Sequence, residues 1–185
     1  MIIKLKDIKE KEIIKAIKSG KILIYPTDTI YGIGCDATNY SAVRKIREIK
    51  NRFDKPLSVI APSKQWIYDN FEFNNKAYIQ KLPGPFTFIL QIKNKVVADN
   101  VSNGNTLGVR IPGNDFVKII QKSKLPFITT SVNETGETSM TSIENASSKL
   151  LDKVDIVIDA GDLINNPSVI IDLTSQYPKI IERKL

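Results

Sequence analysis

An α/β fold is what the sequence predicts: a single domain over residues 1–185, built on one twisted, mixed β-sheet packed by helices. Short β-branched runs alternate along the chain with segments of helical period, and no internal repeat, low-complexity stretch or linker interrupts them. The chain has 185 residues, of which 42% are hydrophobic and 25% charged, enough for one substantial core and too few for two.

The spacing of Ile8, Ile13, Ile14 and Ile17 predicts a helix over Asp7 to Ser19, stopped by Gly20. Lys21 to Tyr25 is a strand that Pro26 ends, because proline donates no ladder hydrogen bond. Beyond it lie Thr27-Asp28-Thr29 and Tyr31-Gly32-Ile33-Gly34, read as a hydroxyl-rich turn past a strand's carboxyl end, where open α/β sheets bind ligands. The two glycines are consistent with either a plain turn or a phosphate cradle.

Val43, Ile46 and Ile49 make one apolar stripe on a helix from Ser41 to Lys50, and Arg44, Lys45 and Arg47 are expected on its solvated face. Lys50, Arg52 and Lys55 then fall at the helix end and in the loop Asn51 to Pro56, which runs into a strand over Leu57 to Ile60. Arginine there can grip phosphate oxygens bidentately while lysine acts as a point charge.

Ser63 is expected to cap a short helix bearing Trp66 and Ile67, and a second helix runs from about Asn75 to Leu82 before Pro83-Gly84-Pro85. Trp66 and Tyr78 are read as packing residues. Strands are expected over Phe86 to Ile92 and Leu107 to Ile111, separated by a polar loop with Asn103-Gly104-Asn105 as its turn. Arg110 stands in the otherwise apolar second strand, so its charge requires an ion-pair partner or a cleft. Asn114 caps a helix over Asp115 to Lys124, with Phe116, Val117 and Ile120 inward. Phe127 to Thr130 is a strand opening into a hydroxyl- and amide-rich loop from Ser131 to Ser139. Thr141 with Glu144 reads as a capping box for a helix to Leu151. Val154 to Asp159 is a strand, and Val169 to Leu173 with Lys179 to Glu182 form a closing hairpin.

Composition narrows the chemistry. With 27 Lys+Arg against 20 Asp+Glu the formal charge is +7, which favours an anionic partner such as a nucleotide or RNA. The chain has no histidine, which removes Ser-His-Asp triads, Cys-His pairs and imidazole bases together. Cys35 is the single cysteine, so neither an intrachain disulfide nor a Cys/His zinc site is available, and it is read as a small buried residue. No metal site is expected among the side chains. No apolar run approaches the roughly 20 residues of a spanning helix, and the N-terminus lacks a signal-peptide pattern, so the protein is expected in the cytoplasm and away from membranes.

The segments PTDTIYGIGCDA, KNRFDKPLSVI, PGPFTF, LGVRIP, TTSVN and NPS occur in this order. Together they resemble the YrdC/TsaC family of threonylcarbamoyl-adenylate synthases, in its short single-domain form, over roughly Ile14 to Arg183. The resemblance implies a YrdC-like fold with a positively charged groove. It implies a nucleotidyltransferase that forms threonylcarbamoyl-AMP and pyrophosphate from L-threonine, bicarbonate and ATP, with Mg2+ accompanying ATP. In the family the product goes to a separate threonylcarbamoyl-transferase complex that modifies tRNA adenosine.

Carried onto this chain, the Lys-x-Arg and Ser-x-Asn elements imply ATP contacts at Lys50, Arg52, Ser131 and Asn133, with Lys50 and Arg52 as the catalytic pair. Lys55, Thr106, Ser139 and Arg183 match further nucleotide positions. Thr29, Tyr31, Arg110, Thr129 and Ser168 match the threonine site. The chain departs from longer relatives at Ile60, where many carry a histidine near threonine. Two other readings use the same residues. A double-stranded RNA or tRNA-binding module would need the groove and no reaction, although the chain lacks an aromatic-rich basic strand for base stacking. A carbamoyl-transferring relative would keep the fold and use another acceptor.

Overall fold

A computed structural model of the chain describes residues 1–53, 55–102, 104–133 and 140–182. Among these the order is β1 (Ile2–Lys4), α1 (Glu10–Lys18), β2 (Leu23–Tyr25), β3 (Gly32–Gly34), α2 (Tyr40–Lys50), β4 (Ser58–Ile60), α3 (Lys64–Asn70), β5 (Phe71–Glu72), α4 (Ala77–Gln80) and β6 (Phe86–Ile92). There follow β7 (Thr106–Arg110), α5 (Asp115–Lys122), β8 (Phe127–Ser131), α6 (Ser148–Leu151), β9 (Ile156–Asp159), β10 (Val169–Asp172) and β11 (Lys179–Ile181). The strands form one mixed sheet in the order β1-β9-β2-β3-β8-β4-β7-β6-β10-β11, with β5 beside β6. No helix among the described residues is long and apolar enough to cross a membrane.

Strand alternation divides the core in two. Ile24, Ile33, Ile128, Val59, Val109 and Phe88 share one face of the sheet and are buried against Ala42, Val43 and Ile46 of α2. Leu23, Tyr25, Phe127, Ile60 and Ile158 point to the opposite face, where Ile13 and Ile17 of α1 and Phe116, Val117 and Ile120 of α5 cover them. Each of these fully buried aliphatic side chains contributes about 2 kcal/mol. Tyr25 anchors the second core, with Phe116 stacked at 5.9 Å and Phe127 edge-on at 5.5 Å between ring centroids.

Caps set the helix positions. Asn39, Ser63 and Asn114 accept from the backbone N–H of Ala42, Trp66 and Val117, as their place before each helix requires. Gly20 ends the first helical segment at φ +73°, and Asn51 ends α2 in the left-handed region at φ 45°.

The structure corrects the sequence reading at four places. Residues 32–34 are a strand, β3, antiparallel to β2 and β8, and not a turn or phosphate cradle. The glycine there serves strand packing: a Cβ on Gly34 would lie 1.8 Å from the Ile128 carbonyl oxygen. The capping box at Thr141 does not form. Instead Ile143–Asn145 makes a 3-10 turn without a side-chain cap, and Ser147 caps the short α6 by accepting from the Leu150 N–H. The short strands β1 and β5, three and two residues long and each paired on one side, have no counterpart in the sequence reading because so few residues carry no period. The fourth correction is Arg47, which is 5% exposed and not solvated.

Gly34→Ala is expected to lower unfolding free energy by at least about 3 kcal/mol, because backbone sits where the methyl must go. Gly104→Ala, with nothing within 4 Å, should leave the urea midpoint nearly unchanged. Equal midpoints for the two variants would contradict the packing of β3 against β8.

Candidate active site

Helices α1 and α5 cover only one end of their face of the sheet. The rest of that face is the floor of a solvent-open cleft with a cavity volume of about 130 Å³. Register explains which residues reach it. Thr129, Ser58 and Gly108 are directly paired across β8, β4 and β7, and Thr87 is paired with Ile170 across β6 and β10. Paired positions share a face, and the Ile89–Gly108 pairing carries that face from β7 to β6, so Thr129, Ser58, Thr87 and Ile170 line the cleft. A side chain on Gly108 would meet Ser58 Oγ at 2.5 Å and Thr87 Cγ2 at 3.5 Å, so glycine keeps the floor open between them. The walls are the segment Thr27 to Gly32, the loop residues Arg52 and Pro56, and Pro167 with Ser168. No carboxylate lines the cleft among the described residues, and hydroxyl side chains dominate it.

All five residues expected at a threonine site, Thr29, Tyr31, Arg110, Thr129 and Ser168, line this one cleft. Thr27 Oγ1 donates to the Ile30 carbonyl at 2.7 Å and lies 2.9 Å from Thr29 Oγ1. A hydroxyl carries one proton, so Thr29 is the donor in that pair, and its remaining capacity is as an acceptor. Thr87 and Ser168 share a hydrogen bond of 2.9 Å between their hydroxyls. Tyr31 presents its ring: its hydroxyl donates to the Gly161 carbonyl and accepts from the Ala160 N–H, both at 2.8 Å. Burial raises the Tyr31 phenol above its usual range, against the lowering effect of the Ala160 N–H, so it stays protonated at neutral pH.

Arg110 has both of the features that its apolar strand demanded. It lines the cleft, and its Nη2 donates to Asp28 Oδ1 at 2.7 Å, with side-chain exposures of only 9% and 12%. The other carboxylate oxygen of Asp28 accepts from the Gly113 N–H at 2.8 Å. The pair therefore fixes the guanidinium against the β7–α5 connection.

At the other end of the cleft, Arg52 and Ser131 are lining residues. Lys50 is only 4% exposed, and its ammonium donates to the Ser131 carbonyl at 2.7 Å, to the Asn133 carbonyl, and to Asn133 Oδ1 at 2.8 Å. Ser131 Oγ donates to the same Asn133 Oδ1 at 2.6 Å, so the Lys-x-Arg and Ser-x-Asn elements meet in one hydrogen-bonded group. Lys55 is exposed and Thr106 begins β7; neither is among the lining residues. Because β4 and β7 run parallel, Thr106 and the loop before β4 lie at the same end of these two strands. Ser139 and Arg183 fall outside the described residues. Ile60 is fully buried in the core under α5 and does not line the cleft. Cys35 is likewise buried, with its thiol pushed up by burial and then by Asp36, which makes it no nucleophile.

Sequence reasoning missed Asp28 and Arg47, and in both cases a signal was present. Asp28 sits between two hydroxyl residues at a strand end, facing an arginine that the apolar strand left in need of a partner. Val43, Ile46, Arg47 and Lys50 follow the spacing i, i+3, i+4, i+7 that marks one buried helical face, and all four are buried.

The Sua5/YciO/YrdC family model, described as telomere recombination, matches residues 15–184. The chain belongs to this family. A relative from Methanocaldococcus jannaschii, provisionally named threonylcarbamoyl-AMP synthase, is 41% identical over 164 residues, covering 86% of this chain and 77% of its own length. The threonylcarbamoyl-AMP synthase of Pyrococcus abyssi is 34% identical over 175 residues, covering 90% of this chain, which spans about half (51%) of that longer protein. Among solved structures, P. abyssi Sua5 complexed with L-threonine superposes with a TM-score of 0.86 at 31% identity, over 97% of this chain and 56% of that one. E. coli YciO, at 23% identity, shares the fold with a TM-score of 0.83 over 98% of this chain and 93% of its own.

Asp28→Ala is expected to destabilise the protein by about 3 kcal/mol or more in urea unfolding, because it removes one partner of a nearly buried ion pair. An unchanged midpoint would show that Asp28 does not fix Arg110.

Proposed function

We propose that the protein is an L-threonylcarbamoyladenylate synthase, forming threonylcarbamoyl-AMP and pyrophosphate from L-threonine, bicarbonate and ATP. The observation that carries this reading is one cleft lined both by the five residues of the expected threonine site and by Arg52 and Ser131 of the expected nucleotide site. The family relationship, and the likeness to a Sua5 structure that holds L-threonine, support it.

Arg110, oriented by Asp28, receives the threonine carboxylate as a charge-assisted hydrogen bond. Thr29, an acceptor toward the cleft, accepts a hydrogen bond from the threonine hydroxyl; a site that hydrogen-bonds a hydroxyl rejects analogues lacking it far better than an apolar pocket does. The free amine of threonine attacks the carbon of bicarbonate, and a C–O bond breaks as water leaves with one amine proton, giving the carbamate. A carbamate oxygen then attacks the α-phosphorus of ATP, the bond to the β-phosphate oxygen breaks, and pyrophosphate leaves with the electron pair. No side-chain nucleophile is required, which suits a chain without histidine whose one cysteine is buried. The work left for the protein is to hold two anions in line and to neutralise the charge that builds on the phosphate.

Lys50 and Arg52 supply that neutralisation, Ser131 and Asn133 contact the nucleotide beside them, and Lys55, Thr106, Ser139 and Arg183 complete its binding. Together the cations give the groove its positive character. A magnesium ion arriving with ATP would be held by the triphosphate, since no three His, Cys, Asp or Glu side chains converge among the described residues. The product is an activated carbamoyl, so the reaction that consumes it transfers that group to an acceptor amine, here the adenosine of tRNA in a cytoplasmic transferase complex.

Pyrophosphate release from ATP by the purified protein is expected to require both L-threonine and bicarbonate. Arg52→Ala and Lys50→Ala should each reduce the rate a hundredfold or more, about 3 kcal/mol of lost stabilisation, with the far-UV circular dichroism unchanged. Release that ignores threonine, or near wild-type rates in Arg52→Ala, would contradict the reading. RNA binding without any release would favour a binding module instead.

A further inference from the structure

Among the described residues, the loop from 51 to 56 carries Arg52 and Lys55 yet is not itself part of a helix or strand. What organises it is Arg47. The guanidinium is buried, and it donates to five backbone carbonyls from two segments of chain. Its Nη1 reaches Arg52, Phe53 and Lys55 at 2.8, 3.0 and 3.0 Å, while Nε reaches Asn100 at 2.7 Å and Nη2 reaches Val101 at 3.3 Å. The backbone closes the same ring, because the Arg52 N–H donates to the Arg47 carbonyl at 3.0 Å. Arg52 is thus held through both its N–H and its carbonyl by one residue. The Val101 carbonyl also accepts from the Leu57 N–H at 3.0 Å, at the entry to β4, so the two segments are joined at that point as well.

We propose that Arg47 is a positioning residue for the nucleotide end of the cleft, setting the loop from which Arg52 acts, and that it has no part in holding threonine. The inference rests on the assignment of Arg52 to ATP. A planar fork of five N–H donors can satisfy carbonyls arriving from both sides, which a single ammonium of three donors cannot. The threonine end of the cleft depends on β2, β7 and the Asp28–Arg110 pair, none of which Arg47 touches through these bonds. Loss of the fork therefore loosens one end of the site and leaves the other in place.

The test is Arg47→Lys, which keeps the charge and loses the fork. ATP and L-threonine binding are each measured by calorimetry, pyrophosphate release by steady-state kinetics, and loop order by hydrogen exchange of the peptide covering 51–56. The expected result is a tenfold or greater loss in ATP affinity or in kcat, threonine affinity within twofold of wild type, and faster exchange in that peptide while the strand β7 keeps its protection. In an Arg52→Ala background, Arg47→Lys should add little to the loss of rate, because it acts through Arg52. Equal losses for both substrates, full additivity with Arg52→Ala, or wild-type ATP parameters with a loosened loop would each overturn the proposal. Should Arg47→Lys fail to fold, Arg47→Gln, which keeps a planar amide donor, is read by the same measurements. If the wild type binds ATP but releases no pyrophosphate, the proposed reaction falls, and ATP affinity with loop exchange still decides the role of Arg47.

Discussion

Helices α1 and α5 bury Tyr25, Phe127 and Ile60 on one face of the sheet and stop short of Thr129, Ser58, Thr87 and Arg110 on that same face. The unequal cover is the constraint from which the rest of the structure follows. A sheet face left without helices must be polar, and here it carries threonine and serine hydroxyls on alternate residues of neighbouring strands. The opposite face is packed under α2, so the floor of the cleft is backed by a dry core. Rigid strands therefore set the spacing of the hydroxyls, and the loops are confined to the walls.

Burying charge beside such a floor is costly unless each group is held by hydrogen bonds, and the three buried cations of the region meet that demand in different ways. Arg110 is paired with Asp28. Lys50 gathers the carbonyls of Ser131 and Asn133 with the Asn133 side chain. Arg47 gathers five carbonyls. Each arrangement ties together segments distant in sequence: β7 with the 27–30 turn, α2 with the end of β8, and the 51–56 loop with residues 100–101. The groups that would bind anions are thereby prepositioned on fixed elements, which is how positioning and charge can accelerate a transfer at phosphorus.

Much of this was legible from the sequence because local signals were strong. The stripe of α5 and its Asn114 cap, the whole of β6, and the closing hairpin of β10 and β11 all stand where the residue pattern puts them. The motif order gave the family, and the residues it implied for a threonine site come from four separate segments that line one cleft. What was not legible depends on tertiary contact. Gly32 and Gly34 look like turn glycines, and it is their pairing with β2 and β8 that makes them strand residues. Arg47 reads as one of several charges on a basic helix, since its value lies in carbonyls contributed by residues up to 54 positions away. Thr141 and Glu144 have the composition of a capping box, yet the chain between 143 and 151 divides into a 3-10 turn and one helical turn, so local propensity was overridden.

The central claim is that a single cleft receives both substrates side by side, threonine against Arg110 and the α-phosphate of ATP against Arg52. A crystal structure with L-threonine and a non-hydrolysable ATP analogue tests it most directly. The threonine carboxylate is expected within about 3 Å of the Arg110 guanidinium and α-phosphate oxygens within a similar distance of Arg52, both over the floor formed by Thr129 and Ser58. A nucleotide bound outside this cleft, or threonine held away from Arg110, would contradict it.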